Sequence, residues 1–188
     1  MQLALYGGTF DPIHHGHLIL AREALERLGL DRVVFVPAAQ SPHKLHRTPT
    51  DPRVRLEMVR AAIADEPRFA CDDAEVGRPG PSFTIDTVER YATAHPAAQL
   101  YYFLGHDNVR ELSTWRRIDD LRRLARFVVF DRAGSDLRHD FLHVTRQVDI
   151  SATEVRARVA RGSSIRYLVP ESVRAIIVRD QLYQGPLP

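Results

Sequence analysis

Three histidines crowd into one short segment near the start of the chain. Residues 7–17 read Gly-Gly-Thr-Phe-Asp-Pro-Ile-His-His-Gly-His and follow an apolar run. The two leading glycines allow the backbone to approach a phosphate chain and to offer peptide N–H groups as donors. His14 and His17 are spaced to share one face at a helix N-terminus, where the helix dipole favours anions. The segment therefore predicts a phosphate-binding loop built from backbone donors and two imidazoles.

Other interpretations of this segment stay open at this point. It is not a Walker A loop, which needs Gly-Lys-Ser or Gly-Lys-Thr, and it is not the dinucleotide-binding Gly-x-Gly-x-x-Gly. A tight turn followed by surface histidines would give the same residues without any function. A metal site ranks below both interpretations, because no acidic or cysteine partner is evident beside the two histidines.

A second group of polar residues opens a predicted helix near the other end of the chain. Residues 150–156 read Ile-Ser-Ala-Thr-Glu-Val-Arg. Ser151 and Glu154 have the spacing of a helix capping box, which explains those two residues without any ligand. Capping does not explain Thr153 or Arg156. A guanidinium at that position can hold phosphate oxygens through paired hydrogen bonds, so the motif is a second candidate for phosphate binding.

Apolar runs and helical periodicities alternate along the chain and must position these two motifs. Continuous apolar runs predict buried strands at residues 2–6, 33–36, 100–104, 127–130 and 142–144. Helices are predicted at residues 16–28, from Asp51 onward, from Thr84 to Pro96, and at 108–112, 119–124, 151–160 and 170–178. The alternation predicts a Rossmann-like, doubly wound α/β fold, a parallel sheet with helices on both faces. Ligands in such sheets bind beyond the carboxyl ends of the strands, so function is expected in the loops that follow them.

Length, composition and charge exclude several classes of protein. The chain has 188 residues, of which 44% are hydrophobic and 27% charged, and we expect a single domain over residues 1–188. The one cysteine, Cys71, excludes a disulfide framework. No signal peptide is evident and no apolar run approaches the roughly 20 residues that cross a bilayer, so we expect a cytoplasmic protein without membrane contact. A net charge of +2 suits a small anionic ligand better than duplex DNA.

Both motifs resemble those of a known enzyme superfamily. Residues 7–17 are similar to the first motif of the nucleotidylyltransferases, and residues 150–156 resemble their C-terminal Ile-Ser-x-Thr-x-hydrophobic-Arg. Further segments resemble those of bacterial nicotinate mononucleotide adenylyltransferases: Ser-Pro-His-Lys at 41–44, Ser-Phe-Thr-Ile-Asp-Thr at 82–87, Gly-His-Asp-Asn at 105–108 with Trp115 after it, and Tyr-Leu-Val-Pro at 167–170. The resemblance covers nearly the whole chain and implies a fold of the nucleotidylyltransferase type.

The resemblance implies an activity and its substrates. The family transfers AMP from ATP to nicotinate mononucleotide, giving nicotinate adenine dinucleotide and pyrophosphate, in a step of NAD biosynthesis. The attacking phosphate oxygen is already anionic, so catalysis needs no general base and depends on positioning and charge stabilisation. Mg²⁺ is expected with ATP, held mostly by phosphate and water, and no protein residue is predicted as a metal ligand.

The same resemblance assigns roles to individual residues. His14, His17 and Arg156 are the implied catalytic residues. ATP contacts are implied for those three and for Gly7, Gly8, Thr9, Phe10, Gly105, Ile150, Ser151 and Thr153, with the last helices (about residues 151–180) completing the ATP site. Acceptor contacts are implied for Asp11, His43, Lys44, Ser82, Thr84, Asp107, Trp115 and Arg116. Trp115 would stack on the pyridine ring, and Ser82 and Thr84 would offer donors to the nicotinate carboxylate.

Several of these positions have structural alternatives. Trp115 could equally anchor the core, Thr84 and Asp107 could cap helices, and residues 43–44 could be a solvated pair. His106 stands where the family usually has a small residue, and Arg116 stands where histidine is common. Both departures bear on substrate discrimination.

Competing functions remain open from the sequence alone. The alternative acceptors are nicotinamide mononucleotide and phosphopantetheine, and the 82–87 segment and Trp115 argue against the second. A nucleic-acid-binding module could use the arginines of residues 116–126. Asp119 and Asp120 are interleaved with them at helical spacing, so a solvated helix face fits better and no nucleic acid partner is expected. A homo-oligomer is compatible with the sequence.

Overall fold

The computed structural model describes residues 1–40, 48–78, 80–131 and 140–185, and in them a layer of strands alternates with helices. The strands are β1 Gln2–Gly8, β2 Arg32–Pro37, β3 Phe69–Cys71, β4 Gln99–Gly105, β5 Arg126–Asp131 and β6 Leu142–Thr145. The helices are α1 His15–Arg27, α2 Pro52–Ile63, α3 Thr84–Ala94, α4 His106–Val109, α5 Ile118–Leu124, α6 Ala152–Ala160 and α7 Glu171–Arg179, with a 3₁₀ turn at Leu112–Thr114.

The six strands form one parallel sheet in the order β3-β2-β1-β4-β5-β6. Every neighbouring pair is parallel, so each connection crosses over the sheet. The chain runs outward from β1 in one direction and then returns to start β4 on the other side of β1. This strand order is that of the doubly wound nucleotide-binding fold, and the prediction of a Rossmann-like sheet is confirmed. The topological switch point, where such folds bind ligands, lies between β1 and β4.

Alternate residues of the strands feed two separate cores, one on each face of the sheet. Ala4 and Tyr6 of β1 pack in the core that receives helices α1, α2, α6 and α7. Leu3 and Leu5 pack in the core that receives α3 and α5. Burying both faces explains why the strands read as continuous apolar runs rather than as alternating ones.

Two predicted elements differ from the observed ones. β3 was not predicted, because it has only three residues and all of them are partly exposed. The helix predicted at 108–112 is wrong: α4 begins directly after β4, with Gly105 as its N-cap, and has ended before the 3₁₀ turn begins. The start of α2 is as predicted, since Asp51 caps the helix by accepting a hydrogen bond from the backbone N–H of Arg53 at 2.7 Å.

Candidate functional site

The N-terminus of α1 brings His14 and His17 together. His14 is the residue just before the helix, and His17 is in its first turn. The two imidazole rings are stacked, with their centroids 3.7 Å apart. Nδ1 of His17 accepts a hydrogen bond from the backbone N–H of His14 at 3.2 Å, which fixes the second ring against the start of the helix. The predicted pairing of the two histidines on one face is confirmed.

His14 is a buried histidine with an unsatisfied ring atom. Its residue is 6% exposed, so the interpretation as a surface histidine is wrong for this position. Its Nδ1 has no hydrogen-bond partner among the described residues. Burial, and then the charge of His15, lowers the pKa of His14 to about 4. The ring is therefore neutral near pH 7, and a buried polar atom without a partner is where a ligand is expected.

Gly16 allows the second motif to reach this helix start. A Cβ atom at Gly16 would lie 2.9 Å from Nδ1 of His14 and 3.3 Å from the carbonyl oxygen of Ile150. A side chain there would displace the imidazole or the backbone of the 150–156 segment. The two motifs from opposite ends of the chain therefore meet at Gly16, a residue that was not singled out as part of the site.

Arg156 of α6 makes a second connection between the motifs. It is 8% exposed, and its Nη1 donates to the backbone carbonyl of Asp11 at 2.6 Å. Its Nη2 donates to the hydroxyl of Thr153 at 3.1 Å. Ser151 caps α6 as predicted, since its Oγ accepts from the backbone N–H of Glu154 at 3.1 Å. Part of the donor capacity of Arg156 is thus used to hold the loop after β1.

Phe10 supports the histidine pair from the side of the core. Its ring meets the rings of His17 and Tyr6 edge-on, at centroid distances of 5.1 and 5.4 Å. Its φ of 47° lies in the left-handed region, which non-glycine residues rarely adopt. Backbone strain of this kind is found mostly at functional sites, where the surroundings hold it in place. The following Asp11–Pro12 peptide is cis.

Two contacts that hold the loop after β1 in place could not be predicted from the sequence. Asp11 is 4% exposed, and its Oδ1 accepts a hydrogen bond from the hydroxyl of Tyr183 at 2.7 Å. Arg55 of α2 is fully buried and donates to the carbonyls of Thr9 at 2.5 Å, Ala39 at 3.0 Å and Thr50 at 2.8 Å. Arg55 therefore ties the loop after β1 to the loop after β2. These contacts give Asp11 a structural place, and its contact with an acceptor stays a prediction.

The glycines at the end of β1 have a packing reason. A Cβ atom at Gly7 would collide with the hydroxyl of Tyr102, and one at Gly8 would lie 2.9 Å from the ring of Phe10. Among the described residues, Tyr102 and Phe10 are thus the side chains that pack closely against Gly7 and Gly8. Contact of this backbone with phosphate stays a prediction.

A second cluster surrounds Tyr102 on the other face of the sheet. The Tyr102 hydroxyl lies 3.3 Å from Oγ1 of Thr84, and its ring meets that of Trp115 edge-on at 6.0 Å. Trp115 packs against the edge of this core while remaining partly exposed. Thr84 is the first residue of α3 and Phe83 is its N-cap, so the interpretation of Thr84 as a helix cap is wrong.

Ser82 and Arg116 border the same cluster. The Oγ of Ser82 accepts from the backbone N–H of Ala39 at 3.2 Å, and its own N–H donates to the carbonyl of Gln40 at 3.0 Å. The guanidinium of Arg116 lies 4.7 Å from the ring centroid of Phe83, a cation–π contact. Two predicted acceptor residues, Thr84 and Trp115, thus contact Tyr102, whereas Ser82 contacts the loop after β2 and Arg116 contacts Phe83.

Three predicted acceptor residues are placed only in part. His43 and Lys44 lie outside the described residues. Asp107 lies in α4, and its side chain is not among those described. The N-cap of α4 is Gly105, so the interpretation of Asp107 as a helix cap is wrong.

The arginines of residues 116–126 are largely engaged within the chain. Arg117 pairs with Glu89 at 2.8 Å and with Asp120 at 2.6 Å, and Arg123 also pairs with Asp120. A charged helix face of this kind fits the expected solvated surface better than a nucleic-acid interface. Within the described ranges, no group of three or more His, Cys, Asp or Glu residues could hold a metal ion. None of the described helices is both long and apolar enough to cross a membrane.

Comparison with known proteins identifies the family. Residues 5–158 match the cytidylyltransferase-like family. A Thermus thermophilus protein named "Probable nicotinate-nucleotide adenylyltransferase" is 41% identical over 188 residues, covering 98% of this chain and 100% of its own. A Synechococcus protein of the same name is 38% identical over 201 residues, covering 98% of this chain and 96% of its own. The chain belongs to the nicotinate-nucleotide adenylyltransferase family.

Solved structures of this family share the fold. A Plasmodium falciparum nicotinic acid mononucleotide adenylyltransferase complexed with NaAD superposes with a TM-score of 0.80 at 19% identity, covering 100% of this chain and 99% of that one. The same enzyme complexed with APC gives a TM-score of 0.78 at 17% identity. At these identities the likeness shows the nucleotidylyltransferase fold. The expected membership of the nicotinate-nucleotide adenylyltransferase family is confirmed by the closer relatives.

Proposed function

We propose that this chain transfers AMP from ATP to nicotinate mononucleotide, releasing nicotinate adenine dinucleotide and pyrophosphate in NAD biosynthesis. The observation that carries the proposal is the stacked pair His14–His17 at the N-terminus of α1, with the 150–156 motif packed against it. Relatives that are 38% and 41% identical over nearly the full chain carry the name of this activity.

The ATP half of the site lies around the start of α1. A helix N-terminus attracts phosphate through its free N–H groups and its dipole. His14 and His17 hold the phosphates of ATP there and stabilise the charge that develops at the α-phosphate and the leaving pyrophosphate. Ser151, Thr153 and Arg156 are supported as the other wall, because α6 is fastened to the loop after β1. The residues at 7–10, with Gly105 and Ile150, complete this half.

The acceptor half lies around Tyr102, across the switch point. Trp115 provides a flat ring on which a pyridine ring can stack. Thr84 and the backbone at the start of α3 offer donors to the nicotinate carboxylate, and Arg116 supplies a positive charge beside Phe83. Asp107, His43 and Lys44 are proposed for the ribose and the phosphate of the mononucleotide. Transfer then takes place at the carboxyl ends of β1 and β4, between the two halves.

The reaction needs positioning rather than proton removal. The phosphate of the acceptor is anionic at neutral pH, so it attacks the α-phosphate of ATP without a general base. Mg²⁺ brought with ATP would neutralise phosphate charge and would be held mostly by phosphate and water, and no residue of this chain is proposed as its ligand. Two features of this chain serve that scheme: a neutral, buried His14 and a fixed His17.

Three further parts of the proposal concern the protein as a whole. Residues 1–188 form one catalytic domain, and its last helices, 151–180, complete the ATP site. The hydrogen bond from Arg156 to Asp11 supports the placement of these helices at the site. The enzyme acts in the cytoplasm, and a homo-oligomer is compatible with the chain. These stay predictions.

A product assay with three acceptors tests the function. ATP and Mg²⁺ are offered with nicotinate mononucleotide, nicotinamide mononucleotide or phosphopantetheine, and dinucleotide and pyrophosphate are quantified. We expect equimolar pyrophosphate and nicotinate adenine dinucleotide, with the nicotinate acceptor strongly preferred. Equal use of the amide would overturn the acceptor assignment, and no product from any acceptor would overturn the reaction.

A further inference from the structure

Glu75 is a buried carboxylate that the proposed reaction does not use. It lies in the turn after β3 and is 7% exposed. Its Oε1 accepts a hydrogen bond from the hydroxyl of Thr87 in α3 at 2.5 Å. Burial raises the pKa of Glu75, while the hydrogen bond from Thr87 and the nearby hydroxyl of Ser82 oppose that rise. A carboxylate is costly to bury, so these contacts call for an explanation.

The hydrogen bond from Thr87 ties the turn after β3 to the first turn of α3. Thr87 is the fourth residue of that helix, which begins at Thr84 with Phe83 as its N-cap. Just before the helix, Oγ of Ser82 accepts from the backbone N–H of Ala39 in the loop after β2. Glu75 therefore holds the helix start of the segment that carries the predicted acceptor contacts.

The start of α3 carries predicted donors to the acceptor. Thr84, the first residue of the helix, lies one helical turn before Thr87. The position of Thr84 therefore depends on how firmly Glu75 holds that turn.

We propose that Glu75 is a positioning residue for the acceptor, which fixes the first turn of α3 before nicotinate mononucleotide binds. When a segment is already ordered before the substrate binds, the free energy cost of ordering it does not weaken binding. Glu75 is buried and acts through Thr87. The inference rests on the proposed function, since it concerns the acceptor half of that site.

Selective loss of acceptor binding is the expected effect of removing the carboxylate. In Glu75→Ala the KM for nicotinate mononucleotide should rise about tenfold or more, as for the loss of a buried hydrogen bond to a charged group. The KM for ATP should change less than about twofold. Trp115 is the one tryptophan of the chain, so quenching of its fluorescence gives the acceptor Kd without turnover. That Kd should rise by the same factor.

Two variants separate positioning from folding. Thr87→Val removes the same hydrogen bond from the other side and should give a similar rise in the acceptor Kd, and the effects of Thr87→Val and Glu75→Ala should not add when the two changes are combined. Glu75→Gln alone keeps an oxygen for Thr87 and should stay within about threefold of the unaltered enzyme. Asp73→Asn is the matched control: this exposed carboxylate lies on the same turn and pairs with Arg60 at 2.8 Å. It should change neither KM.

The outcomes distinguish this inference from the proposed function. An unaltered enzyme that makes no dinucleotide from nicotinate mononucleotide overturns both. If the unaltered enzyme is active and Glu75→Ala or Thr87→Val shifts both KM values equally, or neither, the positioning role is wrong while the function stands. An equal effect of Asp73→Asn would also overturn it, since the turn rather than the carboxylate would then matter.

Discussion

Replacing Gly16 with alanine has two opposing effects: it favours the helical backbone of α1, and it crowds the side chain of His14. Alanine is favoured over glycine inside a helix by up to about 1 kcal/mol, so by propensity alone the change would stabilise α1. The new Cβ would lie 2.9 Å from Nδ1 of His14, about 0.5 Å short of the ordinary contact distance of 3.4 Å, and 3.3 Å from the carbonyl oxygen of Ile150. Overpacking of this kind costs about 1–3 kcal/mol.

We expect Gly16→Ala to leave stability near its original value or to lower it by up to about 2 kcal/mol, because the two effects oppose each other. The imidazole must move by about half an ångström, and misplacement on this scale should lower kcat/KM for ATP by about tenfold or more. Pyrophosphate release measures kcat/KM, and thermal unfolding by circular dichroism measures stability.

Gly77→Ala is the matched control, because nothing lies within 4 Å of a Cβ atom at that position. It should change neither quantity. If Gly16→Ala leaves kcat/KM for ATP unaltered, the absence of a side chain at residue 16 is not needed to keep His14 in its catalytic position, and the reasoning is refuted.

Two more perturbations follow from the buried groups of the ATP half. Arg156→Gln should raise the KM for ATP and lower the free energy of unfolding by about 2 kcal/mol, because it loses the hydrogen bond to Asp11. Arg158→Gln, on the same helix, is the control and should leave the KM for ATP unchanged. Equal effects of the two changes would contradict the role given to Arg156. Between pH 6.5 and about 4, His14 is protonated in the unfolded chain but not in the folded chain. The free energy of unfolding measured without ATP should therefore fall as the pH falls, and His14 should account for at most about 3 kcal/mol of that fall. Thermal unfolding at pH 7 and 4.5 measures this slope, and an equal slope in His14→Gln would contradict it.

Local spacing made much of the fold and part of the site predictable. The doubly wound sheet follows from continuous apolar runs that alternate with helical periodicity, and the cap of α2 follows from the Asp51–Pro52 pair. The common face of His14 and His17 follows from a separation of three residues at a helix start, and the structure adds that their rings stack. Each of these depends on neighbours in the chain, which a single sequence displays.

Contacts between distant segments account for what the sequence did not reveal. In the sequence Arg55 looks like any cation of an amphipathic helix, and only the structure shows that it donates to three carbonyls from two loops. Tyr183 reaches Asp11 across most of the chain. Glu75 has no motif of its own, and its importance appears only when Thr87 is placed beside it. β3 was missed because three partly buried residues give too short a pattern.

The central claim is that the histidine pair at the start of α1 performs adenylyl transfer. The most direct test is the turnover of His17→Ala on ATP and nicotinate mononucleotide, with dinucleotide and pyrophosphate both quantified and the melting temperature recorded. We predict a fall in kcat of about a hundredfold or more, as for other groups that stabilise developing charge, in a protein that still folds. Near-normal turnover in a folded His17→Ala enzyme would contradict the account.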